Sequence, residues 1–359
     1  MSSLALDTLP FYCPIPPAIH PDVDTVERRA HAWIDESGLC PTAVARAWTI
    51  GTKSAEFYAR FAPAADPDRL WITACWVCWG FAFDDARCDE GPLAADPAGF
   101  AAPAGTVQRA LEVPGPLHAD DPYVAALHDL GERFRACAGP VQNRRFHQAH
   151  RAWLTGVQWQ IGNRAARRMP DLDDYLSMRL HSAGGEPTYA MLEIANGIDV
   201  PAAEMDSPAV CALTEMAILV AALDNDRHSH AKEADRDQTD QNIISVLTAQ
   251  DVLSPRQALR EAVALRDSVL DRFLALRADV TRTASAELRR YLDDLGHGIR
   301  GNIEWGLRFP RYHSPRHALR GPRSVTAPED LPFTNRPLTG GRDPQRLPTI
   351  SWWWQDLAP

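Results

Sequence analysis

The chain has 359 residues, and only two of its basic residues are lysines, Lys53 and Lys232. All other cations are arginines, which we read as compositional bias rather than as a functional signal. No long run of basic residues occurs, and the net charge is −10 with a pI near 5.6, so nothing marks a nucleic-acid footprint. An anionic ligand would need a local basic pocket set against that acidic background. Period-two apolar alternation is scarce, so strands are not expected. No fixed-period repeat is visible, which excludes a solenoid. The seven cysteines are an odd number and form no disulfide framework; a reducing cytoplasm is the default. Cys75 and Cys78 form a C-x-x-C without a second pair at zinc-ribbon spacing, and their bulky apolar surroundings read as core thiols. The N-terminus lacks a charged segment followed by an apolar one, so no signal peptide is expected. The longest apolar run, Val210 to Leu223, contains Glu215 and is too short to span a bilayer.

What the chain has is helical periodicity. Apolar residues recur at three- and four-residue spacing over roughly 23–38, 42–62, 69–88, 121–138, 142–168, 172–183, 187–197, 207–232, 239–249, 255–278 and 281–308. Residues 1–22 are Pro-rich and predict an extended strap. Prolines between 90 and 121 predict a long loop with a short helix at 105–112. Residues 23–312 make the helical body. Residues 313–359 read as an irregular tail, part of which must pack back, because Trp352, Trp353 and Trp354 will not stay solvated.

Two clusters carry chemistry. The first is Asp84-Asp85-Ala86-Arg87-Cys88-Asp89-Glu90, at the C-terminal end of an apolar helix. That end of the helix dipole disfavours anions, so the carboxylates want a counter-charge, and Mg²⁺ takes oxygen ligands of this kind. The second runs from Asn225 to Glu233. Asn225, Ser229 and Glu233 stand at i, i+4 and i+8, within about 80° on one helix face, as a second hard-metal site needs. Lys232 and Arg236 share that face. The bland alternatives are a solvated acidic helix end and a surface ion-pair ladder.

Asp84-Asp85-x-x-x-Asp89 resembles the aspartate-rich motif of class I terpene cyclases. Asn225-Asp226-x-x-Ser229-x-x-Lys232-Glu233 is similar to the second metal motif of the bacterial members, and the spacing between the two, about 140 residues, agrees. Arg179 falls where that family keeps a diphosphate-sensing arginine, and Arg311-Tyr312 looks like its terminal pair. The Pro-rich strap and Trp305 also fit the pattern, so the resemblance covers about residues 9 to 314. It implies an all-α bundle around a central cavity, three Mg²⁺ ions and an isoprenyl diphosphate substrate. Asp84 with Asp89 would hold two ions, and Asn225, Ser229 and Glu233 the third. Asp84, Asp85, Arg179, Asn225, Ser229 and Glu233 would be the catalytic set. Arg179, Lys232, Arg311 and Tyr312 would donate to the diphosphate. The family's helix-break residues are ambiguous among Ser182, Ala183 and Gly184, with Ala183 and Gly184 preferred.

Helix geometry adds cavity candidates. Val77 and Phe81 share the face of Asp84, and Ile218 and Ala222 that of Asn225. Trp76, Trp153, Trp159 and Trp305 are further candidates. For any one aromatic, core packing is the stronger alternative. Three decoys remain. Asp171-Leu172-Asp173-Asp174 matches the acid motif of class II cyclases but reads as helix capping. His228 and His230 point to different helix faces and read as non-ligands. Arg144-Arg145 and the basic run from Arg164 to Arg168 read as solvated faces.

The expected activity is cyclisation of a fifteen-carbon diphosphate, with twenty carbons close behind because Gly80, Ala221 and Ala222 leave room. The rivals are a chain-elongating prenyl transferase, which would carry two aspartate-rich motifs, and a non-catalytic helical binding protein. No nucleic-acid partner or membrane span is expected. A homodimer is common in the family, and the oligomeric state stays open.

Overall fold

The computed structural model describes residues 9–234, 241–308 and 333–357; the side chains of residues 231, 232 and 234 lie outside that description. The architecture is helical, as the periodicity predicts. Helices α1 (Val23–Ser37), α2 (Ala43–Gly51), α3 (Ser54–Phe61) and α4 (Pro67–Phe83) open the body, followed by a π-helical turn, Asp84–Asp89. Then come α5 (Pro97–Glu112), α6 (Pro122–Cys137), α7 (Pro140–Ala165), α8 (Leu172–Ser182), α9 (Gly185–Asn196) and the single turn α10 (Ala202–Met205). Helices α11 (Pro208–Ala234), α12 (Ile243–Asp251), α13 (Pro255–Thr281) and α14 (Ala286–Arg308) complete it, and a short turn, α15 (Pro348–Ser351), lies in the tail.

The central helices are α4 and α11. Asp66 caps α4 by accepting from the Asp68 and Arg69 amides, and Pro67 suits its first position. Nearly every residue from Leu70 to Phe83 is then buried, so α4 must be covered all round. It packs on α1, α3, α6 and α9, while α11 packs on α8, α9, α13 and α14. By length and composition, Pro208–His230 could cross a membrane, a longer span than the apolar run alone indicated. Two-thirds of its most apolar window is buried inside the bundle, which accounts for its apolar character.

Three boundaries differ from the periodicity. The segment 42–62 is split at Lys53, whose φ of 55° is left-handed. The Thr52 carbonyl there accepts from the Trp305 indole at 2.8 Å, a tertiary bond that competes with helix continuation. The segment 69–88 leaves α-geometry at Phe83, where the π-turn carries the acidic motif. The helix expected at 105–112 begins at Pro97. Asp96 caps it through the Gly99 amide, and Pro103 sits inside it at the cost of one backbone bond.

The strap and tail both dock. Phe11–Tyr12 (β1) pairs in parallel with Phe333–Thr334 (β2), with Phe11 opposite Phe333. Arg266 donates to the Tyr12 carbonyl at 2.5 Å. In the tail, Trp353 is fully buried and its indole N–H donates to Glu215 at 2.9 Å, while the Thr349 amide donates to Asp173 at 2.9 Å. The packing-back expected of the tryptophans is therefore what occurs. All seven cysteines are free, with Cys75 and Cys78 buried.

Candidate active site

A cavity of about 190 Å³ lies between α3, α4, α7, α8, α9, α11 and α14. Its polar end gathers Asp84 and Asp89 from the π-turn, Arg179 from α8, and Asn225, Ser229 and Glu233 from α11. Its apolar wall carries Val77, Phe81, Ile218 and Ala222, which helix geometry proposes, together with Trp76 and with Ala183 and Gly184, which the resemblance implies.

The π-turn widens the helix where α4 ends, and such turns recur at functional sites. One carboxylate oxygen from each of Asp84, Asp85 and Asp89 lies within 4.8 Å of the other two. Three hard oxygen donors, with no His or Cys in the cluster, suit Mg²⁺ rather than a soft metal. Asp85 also accepts from the Trp48 indole at 2.9 Å and does not line the cavity.

On α11, Asn225, Ser229 and Glu233 do fall on one cavity-facing stripe. Glu233 accepts from Ser229 and from Asn242 at 2.9 Å. Burial, then the nearby Asp226 charge, pushes its carboxyl up to about 7. Both effects disfavour the charged carboxylate, which a divalent cation held there would favour. The Ser182 hydroxyl and the Gln241 amide also line the cavity, and neither has a hydrogen-bond partner among the described residues. Buried polar atoms in that condition fit a site built for a polar ligand.

Arg179 is held from behind. Its Nε donates to Asp226 at 3.1 Å and its Nη2 to Asn225 at 2.9 Å. Asp226 is 1% exposed and also accepts from Tyr175 and from the Ile243 amide at 3.2 Å. Burial pushes the Asp226 carboxyl up, and Arg179, Tyr175 and the amide oppose it. One buried carboxylate thus ties the arginine of α8 to the helix that carries Asn225.

The break between α8 and α9 falls at Ala183–Gly184. Gly184 has φ 71°, and a Cβ on Gly185 would stand 2.7 Å from Ile218, so the chain passes close against α11 there.

Several expectations need correction. Trp305 is fully buried but does not line the cavity; its ring stacks on Phe81 at 5.3 Å and so backs the wall. Arg145 is not on a solvated face, since it donates to buried Glu193 at 2.8 and 3.0 Å. Nor is Arg164. It lines the cavity, donates to the Cys88 and Ala94 carbonyls at 2.9 and 2.7 Å, and lies 3.7 Å from Asp89. Arg311, Tyr312 and Arg236 lie outside the described residues, as does the side chain of Lys232. His228 stacks on Phe11 of the strap at 5.2 Å.

The sequence does not single out Phe57, Phe61, Thr188, Tyr189, Gln160 or Asn302, all of which line the cavity. Two signals are nonetheless present in the chain. Tyr175 precedes Arg179 by four residues on one helix face, and Gln160 and Arg164 follow Trp153 by seven and eleven on another.

Asp171 caps α8 by accepting from the Asp174 amide at 2.9 Å, as capping predicts. Replacing Asp171 by Ala is expected to cost about 1 kcal/mol of stability and to leave turnover near normal. Thermal unfolding and product assays on the one variant check both. Complete loss of turnover in a folded variant would restore a protonation-initiated reaction.

The bundle is all-helical, and the acidic turn and the Asn/Ser/Glu stripe line one aromatic-walled cavity. A family model described as terpene synthase family 2, C-terminal metal binding, matches residues 75–272. The chain is 51% identical to spiroviolene synthase of Streptomyces violens, covering 98% of this chain and 97% of that one. It is 37% identical to phomopsene synthase of Allokutzneria albata, covering 96% of each. A crystal structure of a protein from ancestral sequence reconstruction superposes with a TM-score of 0.84 at 55% identity, covering 98% of this chain and 99% of that one. The chain belongs to the bacterial class I terpene cyclases, lyases that act on isoprenyl diphosphates.

Proposed function

We propose that the protein ionises geranylgeranyl diphosphate, the twenty-carbon substrate, and cyclises the resulting cation to a cyclic terpene with release of diphosphate. The observation that carries the chain length is the small-residue lining of the cavity. Gly80, Ala183, Gly184, Ala221 and Ala222 all face it, leaving room between the aromatic walls. That lining shifts the preference from fifteen carbons to twenty. The fifteen-carbon reading stays as the second, because a relative 32% identical over 365 residues is named a T-muurolol synthase that cyclises farnesyl diphosphate. Another relative, 27% identical over 375 residues, is named a diterpene cyclase.

Three Mg²⁺ ions would be held by Asp84, Asp89, Asn225, Ser229 and Glu233. Held there, Mg²⁺ would supply charge neutralisation for the diphosphate leaving group as the allylic C–O bond breaks. Arg179 donates to diphosphate oxygens with its planar fork, already aimed by Asp226. Lys232, Arg311 and Tyr312 add donors in the family manner. Trp76, Phe81, Trp153, Phe57 and Tyr189 exclude water and offer π-faces to the cation. No side-chain general base stands out, and diphosphate itself can take the final proton.

The test is incubation with Mg²⁺ and, separately, the ten-, fifteen-, twenty- and twenty-five-carbon diphosphates, followed by gas chromatography–mass spectrometry. The expected result is a cyclic product from the twenty-carbon substrate that disappears with EDTA. A product from the fifteen-carbon substrate alone would overturn the chain length but keep the reaction. Product only when a second isoprenyl diphosphate is added would favour chain elongation.

A further inference from the structure

Behind the aromatic wall lies a buried imidazole that the proposed reaction does not use. His150 of α7 is fully buried and does not line the cavity. Rings surround it. Trp153 stands 5.3 Å away at 83°, Trp76 5.9 Å away at 72° and Trp79 5.6 Å away at 39°. Two of these, Trp76 and Trp153, are cavity walls. The imidazole therefore meets the far sides of both indoles in edge-to-face contacts, which fix ring planes better than featureless apolar packing does.

The hydrogen bonding of this ring has one consistent assignment. His150 Nδ1 lies 2.8 Å from Gln108 Oε1 on α5. The Gln108 amide nitrogen donates to Glu112 at 2.7 Å and to the His147 carbonyl at 3.0 Å. Neither of those groups can donate in return, because the carboxylate also takes Arg151 and the other is a backbone carbonyl. The amide cannot be flipped, so its oxygen faces the histidine and Nδ1 must carry the proton. Nε2 is then a bare lone pair, buried and without a hydrogen-bond partner among the described residues. Burial pushes the pKa of the ring down to about 3, so it stays neutral at working pH. An unsatisfied nitrogen in an aromatic box costs stability, and a phenylalanine would fill the same space without that cost.

We infer that His150, locked as the neutral Nδ1–H tautomer by Gln108, is a positioning residue: it sets the planes of Trp76 and Trp153 that face the cation and keeps positive charge out of the wall behind them. This rests on the proposed carbocation reaction taking place in the cavity. Two indoles held at fixed tilt offer the cation defined π-faces, and a charged imidazolium at the same place would oppose it. The expected role is control over which product forms, not over whether ionisation occurs.

Two measurements test it. The first is the nitrogen-15 histidine spectrum of the intact protein, with the His150 signals assigned by their loss in His150→Phe. The expected pattern is a protonated Nδ1 and a bare Nε2, unchanged between about pH 5.5 and 8.5, where free histidine titrates. A protonated Nε2, or titration in that range, overturns the lock. The second is product analysis of His150→Leu, which removes the ring contacts, and of Gln108→Met, which keeps the bulk of the glutamine and removes the acceptor. In both, the share of side products is expected to rise about threefold or more, with total turnover less affected. Lower turnover with an unchanged product pattern in both variants would mean simple packing and would overturn the role. Absence of any cyclic product from the unmodified protein would instead sink the reaction itself, while the tautomer would still decide the lock.

Discussion

Replacing Asn225 or Glu233 by Ala is expected to lower turnover about a thousandfold or more while leaving the helical content intact. The argument is geometric. Asn225, Ser229 and Glu233 form one stripe of α11 at the polar end of the cavity. In the proposed reading each would offer an oxygen to a hard cation, and removing one would leave the set incomplete. Glu233 supplies the stripe's carboxylate, so its loss removes charge as well as a donor. Asn225 also accepts from Arg179 at 2.9 Å, so its loss loosens the guanidinium as well. Neither change should disturb folding much. Glu233 lies near the end of the helix, and Asn242, which donates to it, also donates to the Asp226 carbonyl at 2.8 Å and caps α12. Circular dichroism, product assays and the thermal shift produced by Mg²⁺ with inorganic diphosphate check the expectation. Near-normal turnover, or an unchanged thermal shift, would mean that the metal assignment is wrong.

That stripe is legible in the sequence because its logic is local. A single helix repeats every 3.6 residues, so i, i+4 and i+8 share a face wherever the helix ends up. The acidic turn is legible for a related reason: carboxylates at the end of an apolar helix have no local explanation. The resemblance narrows the helix break to three residues, and the helices end and restart around Ala183 and Gly184, where Gly184 is left-handed. What stays hidden depends on partners far away in sequence. Phe57, Tyr189 and Asn302 reach the cavity only because α3, α9 and α14 pack around it, and no spacing relates them. Trp305 and the cavity tryptophans are the same residue type. The Thr52 carbonyl, 253 positions away, and the Phe57 and Phe81 rings hold Trp305 where it backs the wall instead of forming it. Arg145 and Arg164 read as solvated because their partners, Glu193 and the Cys88 and Ala94 carbonyls, belong to other elements.

Asp226 is visible in the motif, yet its work is not, since its side chain turns away from the ligand stripe and into the protein. Replacing it by Ala is expected to cost about 3–5 kcal/mol of stability, the cost of leaving a buried charge without its partner. The Arg179 guanidinium, the Tyr175 hydroxyl and the Ile243 amide would all lose their acceptor at once. Denaturant unfolding should show the midpoint fall, and turnover should fall with it, because Arg179 would no longer be aimed. The double variant Asp226→Leu with Arg179→Met separates the two effects. Removing both charges from a buried site relieves the unpaired ion, so part of the lost stability should return. Turnover should not return, because the proposed diphosphate donor is gone. A single Asp226→Ala variant with an unchanged unfolding midpoint would show that water reaches Arg179 and that the carboxylate is not its anchor. Recovery of turnover in the double variant would remove Arg179 from the diphosphate site altogether.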